Sequence, residues 1–293
     1  MNAKVSIASP VPHQPTVISD PVDPGQLRIG SGFEALTFRH EDFDGLMDPL
    51  IMVDHFTMAA PTFGPHGHAG ISAVSVLFED SEGVFNNRDS LGNDIDLMPG
   101  DLYWLKAGRG GMHDEKPAPG GRTHGLQMFV NLPAANKYDD PRTLHVKAAQ
   151  IPTVESERYR VRVVLGESNG VRGASSPALP LTILDAQLRA GGTYSHSVAA
   201  GNSAWVHSVS GDSELVIDDQ RVSLQQGQAI SLRSGGDEVQ LKLHSQVGAK
   251  IVVVEAAPLR ETFVQKGPFA MATEKDVEQI VAAYERGDFG SID

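Results

Sequence analysis

The sequence predicts an all-β protein: two antiparallel β-barrels in tandem, finished by one short C-terminal helix. Three observations predict it. Short apolar runs recur at roughly 8–12-residue spacing between turn signals, and the 30 glycines and 18 prolines behind those signals punctuate all 293 residues. A change of composition after Asn131-Leu132-Pro133 divides two such series. One helical signature stands near the end of the chain.

In the first series the runs Leu50–Val53, Ile71–Leu77, Leu102–Leu105 and Leu126–Val130 read as strands. Between the series, Ala134 to Glu157 is rich in Lys, Asp and Pro and reads as irregular or briefly helical. The second series contains Tyr159–Val164, Leu181–Leu188, Ala204–Val209, Glu214–Ile217, Ala229–Leu232, Val239–Leu243 and Ile251–Val254. The run from Glu238 to Leu243 alternates polar and apolar, as a half-buried strand does. For the helix, Thr273 is the cap and Asp276 stands three residues on, in the manner of a capping box. Val277, Ile280, Val281 and Tyr284 then form an i, i+3, i+4, i+7 stripe, and Gly287 closes it. The expected domains are residues 25–150 and 151–293, with the helix at 274–286.

Composition removes several function classes. With 24 basic and 37 acidic residues the formal charge is −13, which argues against nucleic acid or an anionic membrane as the main ligand. There is no cysteine, so disulfides, zinc fingers, Fe–S clusters and thiol nucleophiles are excluded. A metal must then be held by nitrogen and oxygen. Met1 to Pro24 is polar and lacks an apolar targeting core, and no run approaches the roughly 20 apolar residues of a membrane span. A cytoplasmic protein is expected.

Four residues carry the chemistry: His66 and His68 in Pro65-His66-Gly67-His68, then His113 and Glu115 in Met112-His113-Asp114-Glu115. Positions i and i+2 of a strand project from one face, so each pair aims two ligands into one space. If the two strands are neighbours, three imidazoles and one carboxylate converge and leave two positions of an octahedral ion open. His-x-His alone is a weak signal. The turn Pro99-Gly100-Asp101 and the run Ala107-Gly108-Arg109-Gly110-Gly111 before the second pair strengthen it, because they return a strand toward the first. Gly108-Arg109-Gly110-Gly111 itself lacks the Lys-Ser/Thr sequel of a phosphate loop and reads as a turn. His55 reads as a buried structural histidine in preference to a residue beside the metal. His196, His207 and His244 stand singly and read as surface or satisfied core histidines.

Asp48-Pro49-Leu50-Ile51-Met52-Val53-Asp54-His55-Phe56 through Pro65-His66-Gly67-His68, then Arg88-Asp89-Ser90-Leu91-Gly92-Asn93, Pro99-Gly100-Asp101, Ala107-Gly108-Arg109-Gly110 and Val130-Asn131-Leu132-Pro133, resemble the pirin family of the cupin superfamily. The tail segments Gly267-Pro268-Phe269-Ala270-Met271-Ala272-Thr273-Glu274 and Gly287-Asp288-Phe289-Gly290 resemble the end of pirins. The resemblance runs from about residue 26 to 290. It implies a bicupin, two cupin-type barrels (double-stranded β-helices), of which the first binds one metal, usually iron, through His66, His68, His113 and Glu115. The second barrel is expected to be metal-free. Fe(II) is the expected ion, with Mn, Ni, Co, Cu or Zn also compatible with the ligands.

The implied activity is that of a quercetin 2,3-dioxygenase-like oxidoreductase: a small aromatic substrate such as a flavonol or related phenol, and O2. Glu115 would act as ligand and base, and Ile71, Met52 and Phe129 would form the apolar wall. The alternative is a non-enzymatic iron-binding regulatory protein whose partner is a transcription factor or metabolic enzyme. Two departures from the family pattern bear on the choice. Pirins usually continue after the first pair with an Arg-Gly-Phe-Glu-Thr-like run, where this chain has Ala69-Gly70-Ile71-Ser72-Ala73, so an arginine and a glutamate expected beside the metal are missing. Asn87 also stands where histidine is common. Neither departure is expected to touch a ligand.

Overall fold

The computed structural model describes residues 15–292. Of the polar start expected from Met1 to Pro24, residues 1–14 lie outside the described residues. Each of the eleven segments read as strands falls inside an observed strand. The ladders between neighbouring strands of each barrel are antiparallel.

The first barrel opposes two sheets. Seven strands run in the order Arg142–Val146, Leu102–Lys106, Ile71–Leu77, Thr123–Asn131, Leu50–Met58, Phe33–Arg39, Gly25–Ile29. Four run in the order His66–His68, Gly111–Pro117, Phe85–Asp89, Asp94–Leu97. Phe33, Phe56, Leu77, Tyr103 and Leu105 of the larger sheet meet Phe85 and Leu97 of the smaller in one buried cluster. The second barrel repeats the plan, with Gly192–Val198, Val239–Ser245, Ser213–Ile217 and Gln220–Leu224 as its smaller sheet. Its interior is aliphatic, with Leu184, Val206, Leu215, Ile230, Leu241 and Val253 all fully buried.

The outer faces of the two large sheets pack on each other. Phe38, Trp104, Leu126 and Met128 from the first barrel share a core with Ile183, Trp205 and Val252 from the second, and the Phe38 and Trp205 rings meet edge-on at 5.5 Å. A chain of three imidazoles crosses the same interface. His207 Nδ1 faces the Gln228 carbonyl at 3.1 Å, His207 Nε2 faces His55 Nδ1 at 3.0 Å, His55 Nε2 faces His124 Nε2 at 2.8 Å, and His124 Nδ1 faces Asp80 at 2.8 Å. Both ends of this chain accept hydrogen bonds only, so four contacts need four ring hydrogens while three neutral rings supply three. Burial lowers the pKa of all three rings, so with the rings neutral one of the four contacts lacks a hydrogen. His55 thus has a structural place between the barrels.

The ends of the chain are exchanged between barrels. Val17–Ile18 pairs with the strand Ala229–Arg233 of the second barrel. The hairpin Val264–Lys266 and Phe269–Met271, with the helix after it, packs on the first. The helix spans Glu274–Glu285, and the Thr273 side chain accepts from the Asp276 amide. Arg286 caps its end and Gly287 takes φ +81, open to glycine without strain. Val277 and Ile280 bury against Ala69, Phe269 and Phe289. Among the described residues no helix is long and apolar enough to cross a membrane.

Lys137 fastens this tail. Its side chain is 1% exposed, and Nζ donates to the Gly70 carbonyl at 2.9 Å, the Ala270 carbonyl at 2.8 Å and Asn131 Oδ1 at 2.5 Å. Burial draws its ammonium down to about 8, yet three oxygens satisfy its three hydrogens. Lys137→Met removes the donor and leaves those acceptors buried, which should cost about 1.5–3 kcal/mol. Urea unfolding, with limited proteolysis of residues 257–268, checks this; unchanged stability and unchanged cleavage would contradict the clamp.

Candidate metal centre

The strand His66–His68 is three residues long and pairs antiparallel with Gly111–Pro117, so that His113 stands directly opposite His66 and Gly111 opposite His68. Antiparallel pairing puts the opposed side chains on one face of the sheet, and the i, i+2 rule adds His68 to that face. The three rings converge: Nε2 of His68 lies 3.0 Å from Nε2 of His113, which lies 3.1 Å from Nε2 of His66. His66 Nδ1–H donates to the Gly64 carbonyl at 2.9 Å, which leaves its Nε2 bare. Three imidazole nitrogens within 4.8 Å of one another are able to hold a metal ion.

Glycine makes this close packing possible. A Cβ on Gly67 would lie 2.7 Å from the Tyr284 ring, and one on Gly110, at φ +146, would lie 2.3 Å from the Phe289 ring. The helix and tail therefore press directly on the backs of the two histidine strands.

Glu115 occupies the next inward position after His113 and is 8% exposed. Its Oε1 accepts from Asn87 Nδ2 at 2.8 Å and lies 2.6 Å from Ser75 Oγ. Its Oε2 lies 3.8 Å from His113 Nδ1. Ser75 Oγ also lies 2.8 Å from Gln127 Oε1. One hydroxyl hydrogen cannot serve both oxygens, so one neighbour must bring its own: a protonated Glu115, or the Gln127 amide turned to present its NH2. Burial pushes the Glu115 carboxyl up to about 7, against the bonds from Ser75 and Asn87. The same burial pushes all three imidazoles down, His68 to about 3, with the neighbouring rings adding to the effect at His68 and His113. The site thus presents bare nitrogens at neutral pH, the form a metal requires. Neutral nitrogen and carboxylate oxygen suit first-row divalent ions.

The histidines form one wall of a cavity of about 640 Å³, whose lining also includes Glu115, Asp54, Gln127 and a band of aromatic rings. Phe33, Phe56, Phe63, Phe85 and Phe129 supply that band; Phe129 meets His68 edge-on at 5.1 Å and Phe63 meets Phe33 at 5.1 Å. Met52 and Phe129 line the cavity as expected, whereas Ile71 does not. Ile71 packs with Ile51 and Ala270 under the tail, because the strand has already passed the cavity at that end.

The departures from the family pattern fall differently from expectation. Ala69 is buried beneath the tail with Phe269 and Ile280. Ser72 shares a face with Val74 and Val76, which belong to the core between the barrels, opposite the face of Ser75. Neither residue lines the cavity. Asn87, by contrast, bonds the Glu115 carboxylate directly, so that departure does touch a residue expected to ligate. Ser75 and Gln127 carried no signal in the sequence, since single polar residues in strands are unremarkable there. The lone histidines of the second barrel are satisfied: His196 by Ser168 and Glu255, His207 by His55 and Gln228, His244 by Thr193.

A family model described as Pirin matches residues 34–130, and one described as Pirin C-terminal cupin domain matches residues 183–290. Human pirin (Homo sapiens) is 31% identical over 245 residues, 83% of this chain and 83% of that protein. The chain belongs to the pirin family. Among solved structures, a quercetin 2,3-dioxygenase from Acinetobacter baumannii has a TM-score of 0.82 at 25% identity, covering 95% of this chain and all (100%) of that one. A bacterial pirin from Escherichia coli, solved in complex with nickel(II), has a TM-score of 0.62 at 16% identity, covering 83% and 99%, a likeness of fold. The bicupin architecture of this pirin-family chain agrees with both.

Two outcomes follow for the centre. His68→Ala removes the most enclosed of the three nitrogens and should abolish stoichiometric metal, read by elemental analysis after dialysis; full retention of the ion would sink this arrangement. Acid should destabilise the metal-free protein. Six imidazoles (His55, His66, His68, His113, His124, His207) are held below their ordinary value, so between those values and about 6.5 the unfolded chain binds more protons and stability falls with pH. Among the described carboxyls only Asp54 and Glu115 are raised and work in the opposite sense. The melting temperature should therefore drop from about pH 6.5 to about pH 4.5; a rise over that range would contradict the neutral-ring assignment.

Proposed function

We propose that this chain is a metal-dependent dioxygenase acting on a quercetin-like flavonol or a related phenol. The observation that carries the proposal is the placement of three converging imidazole Nε2 atoms in the wall of an aromatic-lined cavity of about 640 Å³, a size and character suited to a small aromatic ligand. The fold and sequence shared with a quercetin 2,3-dioxygenase support the same reading.

In this reading His66, His68 and His113 hold one divalent ion, with Glu115 as a fourth ligand through Oε2. Fe(II) is the ion that the family resemblance favours. When bound, the ion supplies a Lewis-acidic centre for a phenolic oxygen and a redox partner for O2. The protein's own part is to orient and to move a proton. The Phe33, Phe56, Phe63 and Phe129 rings hold the flat ligand against the histidine wall and exclude water. Glu115 would take the hydroxyl proton of the ligand on the lone pair of Oε2 that the ion does not use, since Asn87 and Ser75 occupy Oε1. Ala69 and Ser72, which favoured the non-catalytic alternative, lie away from the cavity, whereas Asn87 bonds Glu115.

Glu115→Gln keeps the shape of the site but cannot accept the proton. Turnover of quercetin should fall about 10²–10⁴-fold, while metal content falls much less. Unchanged kcat would show that Glu115 is not the base.

A further inference from the structure

The inner face of the large sheet of the first barrel carries a row of polar residues running across five strands. Cross-strand register sets Thr37 opposite Asp54, Asp54 opposite Gln127, Gln127 opposite Ser75, and Ser75 opposite Tyr103. Directly opposed residues share a face, so these five form a stripe on a wall that is otherwise Phe, Met and Leu. The Ser75 end touches Glu115 and so belongs to the metal centre. Asp54 lies two strands away, about 10 Å along the sheet at 4.7–4.9 Å per strand.

Asp54 is out of place by ordinary rules. It is 8% exposed and lines the cavity, and its Oδ1, like the Oγ1 of the facing Thr37, is buried without a well-formed hydrogen bond. Burial raises its carboxyl pKa, against the pull of Thr37 and Arg39. A carboxyl buried this far among aromatic rings costs free energy that a ligand hydroxyl would recover in part.

We propose that Asp54, beside Gln127, is a specificity-determining residue that binds a second hydroxyl of the ligand, on the ring remote from the metal. The inference rests on the cavity being the site of a phenolic ligand, and it narrows that class to aromatics hydroxylated at both ends. A ligand with oxygen at only one end meets the metal and leaves the Asp54 carboxyl without a partner in the cavity. A ligand of two linked rings bridges the distance between the two anchors. The aromatic band between them recognises the rings themselves and discriminates little.

The test is equilibrium binding to protein loaded with Zn(II), which is redox-inert and stops turnover. Two probes are compared by calorimetry: quercetin, hydroxylated on both ring systems, and 3-hydroxyflavone, which carries only the hydroxyl beside the carbonyl. Wild-type protein should prefer quercetin. Asp54→Ala should weaken quercetin about tenfold, as expected for one lost hydrogen bond to a buried group, and leave 3-hydroxyflavone within about twofold. Asp54→Asn, which keeps shape and hydrogen-bonding capacity, should recover part of the preference and controls for folding. Equal weakening of both probes, or no effect on either, overturns the assignment of Asp54. If wild-type protein binds neither probe, the phenolic-ligand reading itself fails and takes this one with it.

Discussion

Three imidazoles whose Nε2 atoms face one another at 3.0 and 3.1 Å constrain the rest of this structure. Lone pairs at that distance repel, and one shared proton cannot satisfy three of them. A cation at their focus turns the repulsion into three bonds. Keeping the rings neutral requires burial, and burial is arranged from behind by the helix and tail. Gly67 and Gly110 let the Tyr284 and Phe289 rings lie against the histidine strands where a Cβ would not fit. A site in the first half of the chain is thereby completed by its last thirty or so residues.

That dependence explains why the two barrels behave as one body. Their outer faces share a core around Phe38 and Trp205, and the three-histidine chain from Gln228 to Asp80 crosses the same contact. Lys137 binds the loop after the histidine pair, the end of the strand Thr123–Asn131 and the tail with one ammonium group. None of these contacts involves a metal ligand, yet each fixes a strand that carries one or packs against one.

Much of the fold was legible because its central strands are apolar runs bounded by Gly and Pro. Strands that the sequence hid are those whose side chains are mostly polar or half exposed. Phe85–Asp89 reads as a loop by composition, because Asn, Arg and Asp are poor strand formers; it is a strand because Asn87 and Asp89 point inward and are bonded there. Gly192–Val198 and Gln220–Leu224 were hidden by Ser, Gln and Arg in the same way. At the site, spacing revealed His66, His68 and His113, since a period of two is a property of the strand itself. The polar row through Ser75, Gln127 and Asp54 was not legible, because it is set by register between strands far apart in sequence. Register also decides the side on which Ala69 and Ser72 fall, which no reading of neighbours in sequence could settle.

The most direct test of the account is aerobic loss of quercetin absorbance by the full-length chain, reconstituted separately with Fe(II), Mn(II), Ni(II), Co(II), Cu(II) or Zn(II), against the metal-free protein. Saturable loss with at least one redox-active ion, and none without metal, is the predicted result. Stoichiometric metal binding with no loss of quercetin under any ion would contradict it.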